Sequence, residues 1–121
     1  METAITSDTG LTQSALGTVD GICPVTHTLN VMNGKWTLLV VRELLDGTKR
    51  FTEIRRGLAG LNPRTLAERL KMLERDGIVR RQAFAEVPPR VEYTLTPRGR
   101  SLASVLEAMG EWGTRDLLDP L

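Results

Sequence analysis

The side chains best suited to recognising another molecule lie on one face of a helical stretch over residues 62–76. At about 100° per residue, four charged residues share this face. An arginine guanidinium offers two parallel donors, which match a carboxylate, a phosphate or the N7 and O6 edge of guanine, and a glutamate can accept from the exocyclic amine of cytosine. A neighbouring threonine can contact a phosphate or a thymine methyl. The charged residues are Arg64, Glu68, Lys71 and Arg75, and the threonine is Thr65.

A single thiol is the other group with distinctive chemistry. Cys23 directly precedes Pro24, so we expect it near the N-cap of a helix, where unpaired N–H groups and the helix dipole favour the thiolate. His27, one turn further, would help if it were charged. An accessible thiol of low pKa is typical of a redox or electrophile sensor. An unreactive small residue at the start of a helix fits the sequence equally well.

The helix over residues 62–76 is delimited by its own sequence. Asn62 can cap the first turn, Pro63 suits the first helical position, and Gly77 can adopt the left-handed conformation that ends a helix. Three leucines face away from the charged side and are expected to be buried. They are Leu66, Leu70 and Leu73.

A second, shorter helix precedes this one. Residues 51–61 form an amphipathic stretch with Thr52 as the expected cap, and a turn containing Gly60 leads into Asn62. Two short helices joined in this way predict a helix-turn-helix, whose second helix enters the major groove of DNA with its N-terminal residues nearest the bases. The residues expected to contact bases are Arg64, Thr65 and Glu68.

A β-hairpin is predicted to follow. Residues 78–86 and 91–96 are the expected strands, with Val87-Pro88-Pro89-Arg90 at the tip holding Arg90 outward. Such a hairpin is a wing, and basic residues on it and before the turn would neutralise DNA phosphates, while Lys71 and Arg75 would meet phosphate or solvent. The residues expected at phosphates are Arg55, Arg56, Arg80, Arg81 and Arg90.

The charge distribution supports this interpretation better than the net charge of +1 does. Residues 35–100 carry fifteen Lys and Arg against eight Asp and Glu, whereas the remaining residues carry one Arg against seven acids. A basic centre between acidic ends is typical of a protein that binds nucleic acid.

The apolar faces of the N-terminal and C-terminal helices are expected to pack against the same faces of a second subunit. A short helix over residues 24–33, a buried helix over residues 35–46 that is apolar nearly all round, and a long helix starting at Thr96-Pro97 complete the chain. The apolar stripe of the long helix needs a partner, either a second subunit or the chain's own core. Its residues are Leu102, Val105, Leu106, Met109 and Trp112.

The predicted organisation is a mobile tail over residues 1–20 and one winged-helix domain over residues 21–121, with dimerisation helices at about 22–33 and 97–118. The chain has no apolar run of about 18 residues and only one cysteine. We therefore expect no membrane span and no intrachain disulfide. Both expectations favour a cytoplasmic location for the protein.

Other classes of protein find little support. The sequence contains none of the GxSxG, GxxxxGK[ST], HExxH or dinucleotide-binding motifs, so we predict no enzyme and no cofactor. With one His and one Cys and no further ligand at zinc-like spacing, we predict no metal site. A regulator with a non-covalent small-molecule effector, and a winged-helix module that binds protein, remain as alternatives.

Three motifs together resemble the HxlR family of bacterial winged-helix transcriptional regulators, relatives of the MarR group. They are GKW (Gly34–Trp36), LxxLExDGIV (Leu70–Val79) and PPRVEYTLT (Pro88–Thr96), within a similarity that extends from about Ile22 to Trp112. The resemblance implies an α+β, mainly helical winged helix-turn-helix and a homodimer formed by the terminal helices, on a pseudo-palindromic DNA operator. It also strengthens the sensor interpretation of Cys23, because several members respond to oxidants, quinones or aldehydes through a cysteine at this position.

Overall fold

The computed structural model describes residues 16–119, which contain six helices and three short strands. The chain divides into two compact units, with the boundary between Asn33 and Gly34. Most of the tail expected over residues 1–20 lies outside the described residues. The elements are α1 (Pro24–Val31), α2 (Lys35–Leu45), β1 (Lys49–Arg50), α3 (Phe51–Gly57), α4 (Pro63–Arg75), β2 (Val79–Phe84), β3 (Arg90–Leu95), α5 (Pro97–Arg100) and α6 (Ala103–Leu118).

The first unit contains α1. Cys23 occupies its N-cap and Pro24 its first position, as predicted, and the helix ends at Val31, two residues earlier than expected. The chain before it turns back on itself through paired backbone hydrogen bonds between Val19 and Ile22. No residue of α1 is buried.

Helix α2 is the centre of the second unit, because it contacts α3, α4, α6 and β3. Its buried residues follow the i, i+3, i+4, i+7 pattern of one face. The predicted central position of this helix is confirmed, but it is fully buried on one face and not all round, because Trp36, Leu38 and Leu45 are half-buried. The buried residues are Thr37, Val40, Val41 and Leu44.

Helix α3 begins differently from the prediction. Thr52 is not its cap: Arg50 takes the N-cap position, and its backbone N–H donates to Oε1 of Glu53 at 2.8 Å. Glu53 is the third residue of the helix, the position from which a glutamate accepts from the N-cap N–H in a capping box. The helix ends at Gly57, and Gly60 at φ +89° makes the turn into α4. Together α3 and α4 form the predicted helix-turn-helix.

The sheet has three antiparallel strands in the order β1-β3-β2. Strand β1 was not predicted, because two residues are too few to show an alternating pattern. In the β2–β3 pair Val79 lies opposite Leu95, Arg81 opposite Tyr93 and Phe84 opposite Arg90. The side chains of residues 79, 81, 93 and 95 therefore share one face, and that face carries the buried Val79 and Leu95.

The predicted C-terminal helix is two helices. Thr96 caps α5 as expected, and its hydroxyl accepts from the Gly99 N–H at 3.0 Å. Gly99 lies against the Ile78 carbonyl oxygen, a contact that leaves no room for a Cβ atom. A turn at Ser101–Leu102 separates α5 from α6. The fold is the predicted α+β, mainly helical winged helix-turn-helix. No helix within residues 16–119 is long and apolar enough to cross a membrane.

Candidate nucleic-acid interface

Helix α4 is oriented by its leucine face. Leu66, Leu70 and Leu73 are at most 2% exposed, and the helix contacts α2 and β2. At its start the Asn62 side chain accepts from the Thr65 N–H at 3.0 Å, which confirms the predicted cap. Burial of one face turns the opposite, charged face toward solvent.

The first turns of α4 present the predicted base-reading residues. Arg64 is 89% exposed, and its Nε lies 3.9 Å from Oε2 of the exposed Glu68. Such a surface pair contributes little to stability, so either side chain can exchange it for a better partner at small cost. Thr65 is half-buried, whereas Lys71 and Arg75 are exposed further along the same helix.

Four of the predicted phosphate-binding arginines are exposed. Arg55 and Arg56 lie on α3, and Arg80 and Arg81 lie on β2. None of the four forms an ion pair with a carboxylate in the described part of the chain. Because successive strand residues point to opposite faces, Arg81 lies on the face shared with Tyr93 and Arg80 on the other.

Arg90 differs from its prediction. It does not project from the tip of the wing but opens β3, where its guanidinium donates to Glu86 at 2.8 Å and to Glu92 at 3.1 Å. The same group lies over the Phe84 ring at 4.0 Å from the centroid, and the side chain is only 27% exposed. The hairpin itself therefore holds Arg90, through two carboxylates and one aromatic face.

Other basic side chains of the central region also serve the fold. Lys49 pairs with Glu43 at 3.0 Å and with Asp46 at 3.6 Å, and the hydrogen bond to Glu43 raises the pKa of the Lys49 ammonium. Arg98 donates to the Asp76 carbonyl, and Arg100 to the Leu95 carbonyl at 3.1 Å. The excess of basic residues over residues 35–100 thus overstates the charge available to a partner.

Cys23 lies where the sequence predicted it, and its thiol is half-buried and free. The polar groups of Thr26, first its side chain and then its backbone, lower the pKa of the Cys23 thiol; burial of the thiol opposes this shift, and the Val25 backbone adds a lesser lowering. This is the thiolate-stabilising environment of a helix N-terminus. Within residues 16–119, no group of three His, Cys, Asp or Glu side chains could hold a metal ion.

Comparison with known proteins agrees with this geometry. A model of the HxlR-like helix-turn-helix family matches residues 31–119. The chain belongs to this family. It is 46% identical over 99 residues to the HTH-type transcriptional regulator YybR of Bacillus subtilis, a match that covers 80% of this chain and 79% of YybR.

Two solved structures extend the comparison. The redox regulator HypR in its reduced form superposes with a TM-score of 0.74 at 44% identity, covering 81% of this chain and 99% of HypR. The reduced form of the transcriptional regulator YodB from Bacillus subtilis superposes with a TM-score of 0.70 at 37% identity, covering 83% of this chain and 98% of YodB. This HxlR-family chain is therefore a DNA-binding transcriptional regulator with a winged helix-turn-helix.

Replacing Arg90 by alanine should loosen the wing. The substitution removes both carboxylate bonds and the contact with Phe84, so backbone amides of β2 and β3 nearest the tip should exchange hydrogen faster, while the free energy of unfolding falls by about 1 kcal/mol. Hydrogen-exchange mass spectrometry measures this. The matched control is Arg80→Ala, which removes an exposed, unpaired arginine from the same hairpin. Equal exchange in both variants would show that Arg90 does not hold the wing.

Proposed function

We propose that the chain binds a pseudo-palindromic operator in duplex DNA as a homodimer, with one α4 helix in the major groove of each half-site. The exposed charged face of α4, held outward by three buried leucines, is the observation that carries this proposal. Half-sites about 10 bp apart, or a multiple of that spacing, suit a two-fold dimer. Such a regulator acts where the DNA is, and we therefore propose a cytoplasmic location. We assign no catalytic residue.

Within this proposal, the first turns of α4 determine sequence preference. Arg64 pairs with guanine N7 and O6, Glu68 accepts from cytosine N4, and Thr65 contacts a phosphate or a thymine methyl. Contacts with phosphates supply affinity that is independent of sequence. The residues proposed for those contacts are Lys71, Arg55, Arg56, Arg80 and Arg81.

Arg90 has a different part in the proposal. Because its guanidinium is paired with Glu86 and Glu92, a direct phosphate contact would require it to leave two carboxylates. We assign it to holding the wing in shape, and the direct contact expected from the sequence remains a prediction.

Replacing Arg64 by alanine should reduce the preference for the operator over random duplex by about 10- to 100-fold, because a bidentate arginine–guanine pair discriminates by roughly 1–3 kcal/mol. The operator can be selected by affinity from a pool of randomised duplexes and compared with a scrambled duplex in a mobility-shift titration. Arg75→Ala, in the last turn of the same helix, is the control and should leave the preference intact. An unchanged preference in Arg64→Ala would refute the assignment.

The homodimer is supported by large apolar side chains that are exposed within the part of the chain that the structure describes. On α1, Val25 and Leu29 are exposed, and on α6, Met109 and Trp112 are 49% and 64% exposed. Exposed large side chains at helical spacing are typical of a self-association surface. We propose that residues 21–121 form the DNA-binding domain and that helices at about 22–33 and 97–118 form the dimer.

A charge on α6 should separate the subunits. In Trp112→Glu, dimer formation would bury an unpaired carboxylate, so sedimentation velocity should show a folded monomer at concentrations where the unmodified protein is a dimer. Ser104→Glu, at an exposed position near the start of α6, is the control and should remain dimeric. A dimeric Trp112→Glu protein would exclude this part of α6 from the interface.

We further propose that oxidation of Cys23 changes DNA affinity. Its lowered pKa supports this, as does the likeness to HypR, which is called a redox regulator and has been solved in oxidised and reduced forms. With one cysteine in the chain, the disulfide partner is Cys23 of a second copy or a small thiol. Two thiols form one disulfide, and the two electrons and two protons reduce one peroxide to two waters.

The reactivity of Cys23 should depend on Thr26. Since the thiol pKa is lowered, the rate of alkylation by iodoacetamide should rise with pH and reach half its maximum below the ordinary value of 9.0. Thr26→Val should move this midpoint upward. Thr28→Val is the control, because the Thr28 hydroxyl bonds to the Pro24 carbonyl. Coincident midpoints for Thr26→Val and the unmodified protein would contradict the role of Thr26.

Peroxide-driven release of DNA that persists in Cys23→Ser would refute the proposal that Cys23 is the oxidant sensor.

A further inference from the structure

One carboxylate of α2 contacts the chain at both ends of α3. Oε1 of Glu43 lies 3.0 Å from the ammonium of Lys49, two residues before α3 begins. At the other end of the helix, the same carboxylate lies against its last residue, Gly57, and leaves no room there for a Cβ atom. Glu43 therefore ties α2 to both ends of α3.

This contact is held from two sides. The side chains of Glu43 and Lys49 are only 13% and 22% exposed. Lys49 belongs to β1, whose backbone pairs with β3 so that Lys49 lies opposite Tyr93. The Glu43 carboxylate thus lies between an ammonium carried by the sheet and the backbone of α3, so movement of α3 relative to the sheet would disturb its packing.

Stability alone does not explain this ion pair. Burial removes water from both charges, so a partly buried pair adds little net stability compared with apolar side chains of similar size. A charged contact does restrict where its partners can lie. The elements restricted here are α2, α3 and β1, and α2 in turn packs against α4.

We infer that Glu43 is a positioning residue for DNA binding, which fixes α3 relative to α4 so that Arg55 and Arg56 meet phosphates while α4 contacts the bases. An operator requires both sets of contacts in one register. On a scrambled duplex no base contact fixes the register, so displaced arginines can still meet phosphates. The inference rests on the proposed phosphate contacts of α3, whereas the hold of Glu43 on α3 does not.

Replacing Glu43 by glutamine should lower the affinity for the selected operator duplex at least about tenfold, the loss expected for one contact with a charged group. The affinity for the scrambled duplex should not fall, because a negative charge is removed and Lys49 is released. A variant that was only less stable would lose both affinities in equal proportion. Mobility-shift titrations with the two duplexes measure their ratio.

Asp46→Asn is the matched control. It removes an equal charge from beside the same ammonium, since Asp46 lies 3.6 Å from Lys49, but its side chain is 77% exposed. The three atoms nearest to a Cβ at Gly57 all belong to Glu43, so Asp46→Asn leaves that contact intact. The ratio of affinities should therefore be unchanged. Equal ratios in Asp46→Asn and Glu43→Gln would overturn the inference.

Gly57→Ala tests the same contact with every charge kept. Alanine is the better helix former, so α3 itself is not weakened, but the added methyl group would displace the Glu43 carboxylate. Operator affinity should fall by a similar factor. Adding Gly57→Ala to Glu43→Ala should cause no further loss, because the carboxylate is already absent. Additive losses in that double variant would contradict the role of Glu43.

Arg55→Ala combined with Arg56→Ala separates this inference from the proposed function. The combined variant should bind both duplexes more weakly, and Glu43→Gln should lower its operator affinity little further. If the combined variant binds DNA as well as the unmodified protein, the phosphate contacts assigned to α3 are refuted.

Hydrogen exchange in the free protein tests the hold of Glu43 on α3 without DNA. Amides of α3 should exchange faster in Glu43→Gln than in Asp46→Asn, because the helix loses its contact with α2 only in the first variant. Equal exchange in the two variants would show that Glu43 does not position α3.

Discussion

The orientation of α4 depends on the burial of its three leucines. Leu66, Leu70 and Leu73 are almost fully removed from solvent, and each contributes roughly 1.5–3 kcal/mol to holding that face inward. A rotation of the helix would expose them, so the direction of Arg64 and Glu68 follows from packing on the other side. The buried leucines, which cannot contact DNA, therefore determine the positions of the residues proposed to contact its bases.

Charge in this protein has two uses that composition does not separate. Some basic side chains are bound to neighbouring carbonyls and carboxylates, as Lys49, Arg98 and Arg90 are, and they hold α2, α5 and the wing in place. Others, such as Arg55 and Arg81, are exposed and unpaired among the described residues. Only the second group can neutralise phosphates without disturbing the fold.

The local environment of Cys23 offers a route to the proposed regulation. This thiol lies at a helix N-cap, and residues of its own first turn lower its pKa, which suits a covalent switch.

The sequence alone determined the features that depend on neighbours a few residues apart. Caps at Asn62 and Thr96, the leucine face of α4 and the N-cap position of Cys23 were predictable, because helix periodicity and capping act within about one turn. Only the tertiary structure decided β1, the pairing of Arg90 opposite Phe84 and the break before α6. These features require strand register and contacts between residues far apart in the chain, which no local pattern specifies.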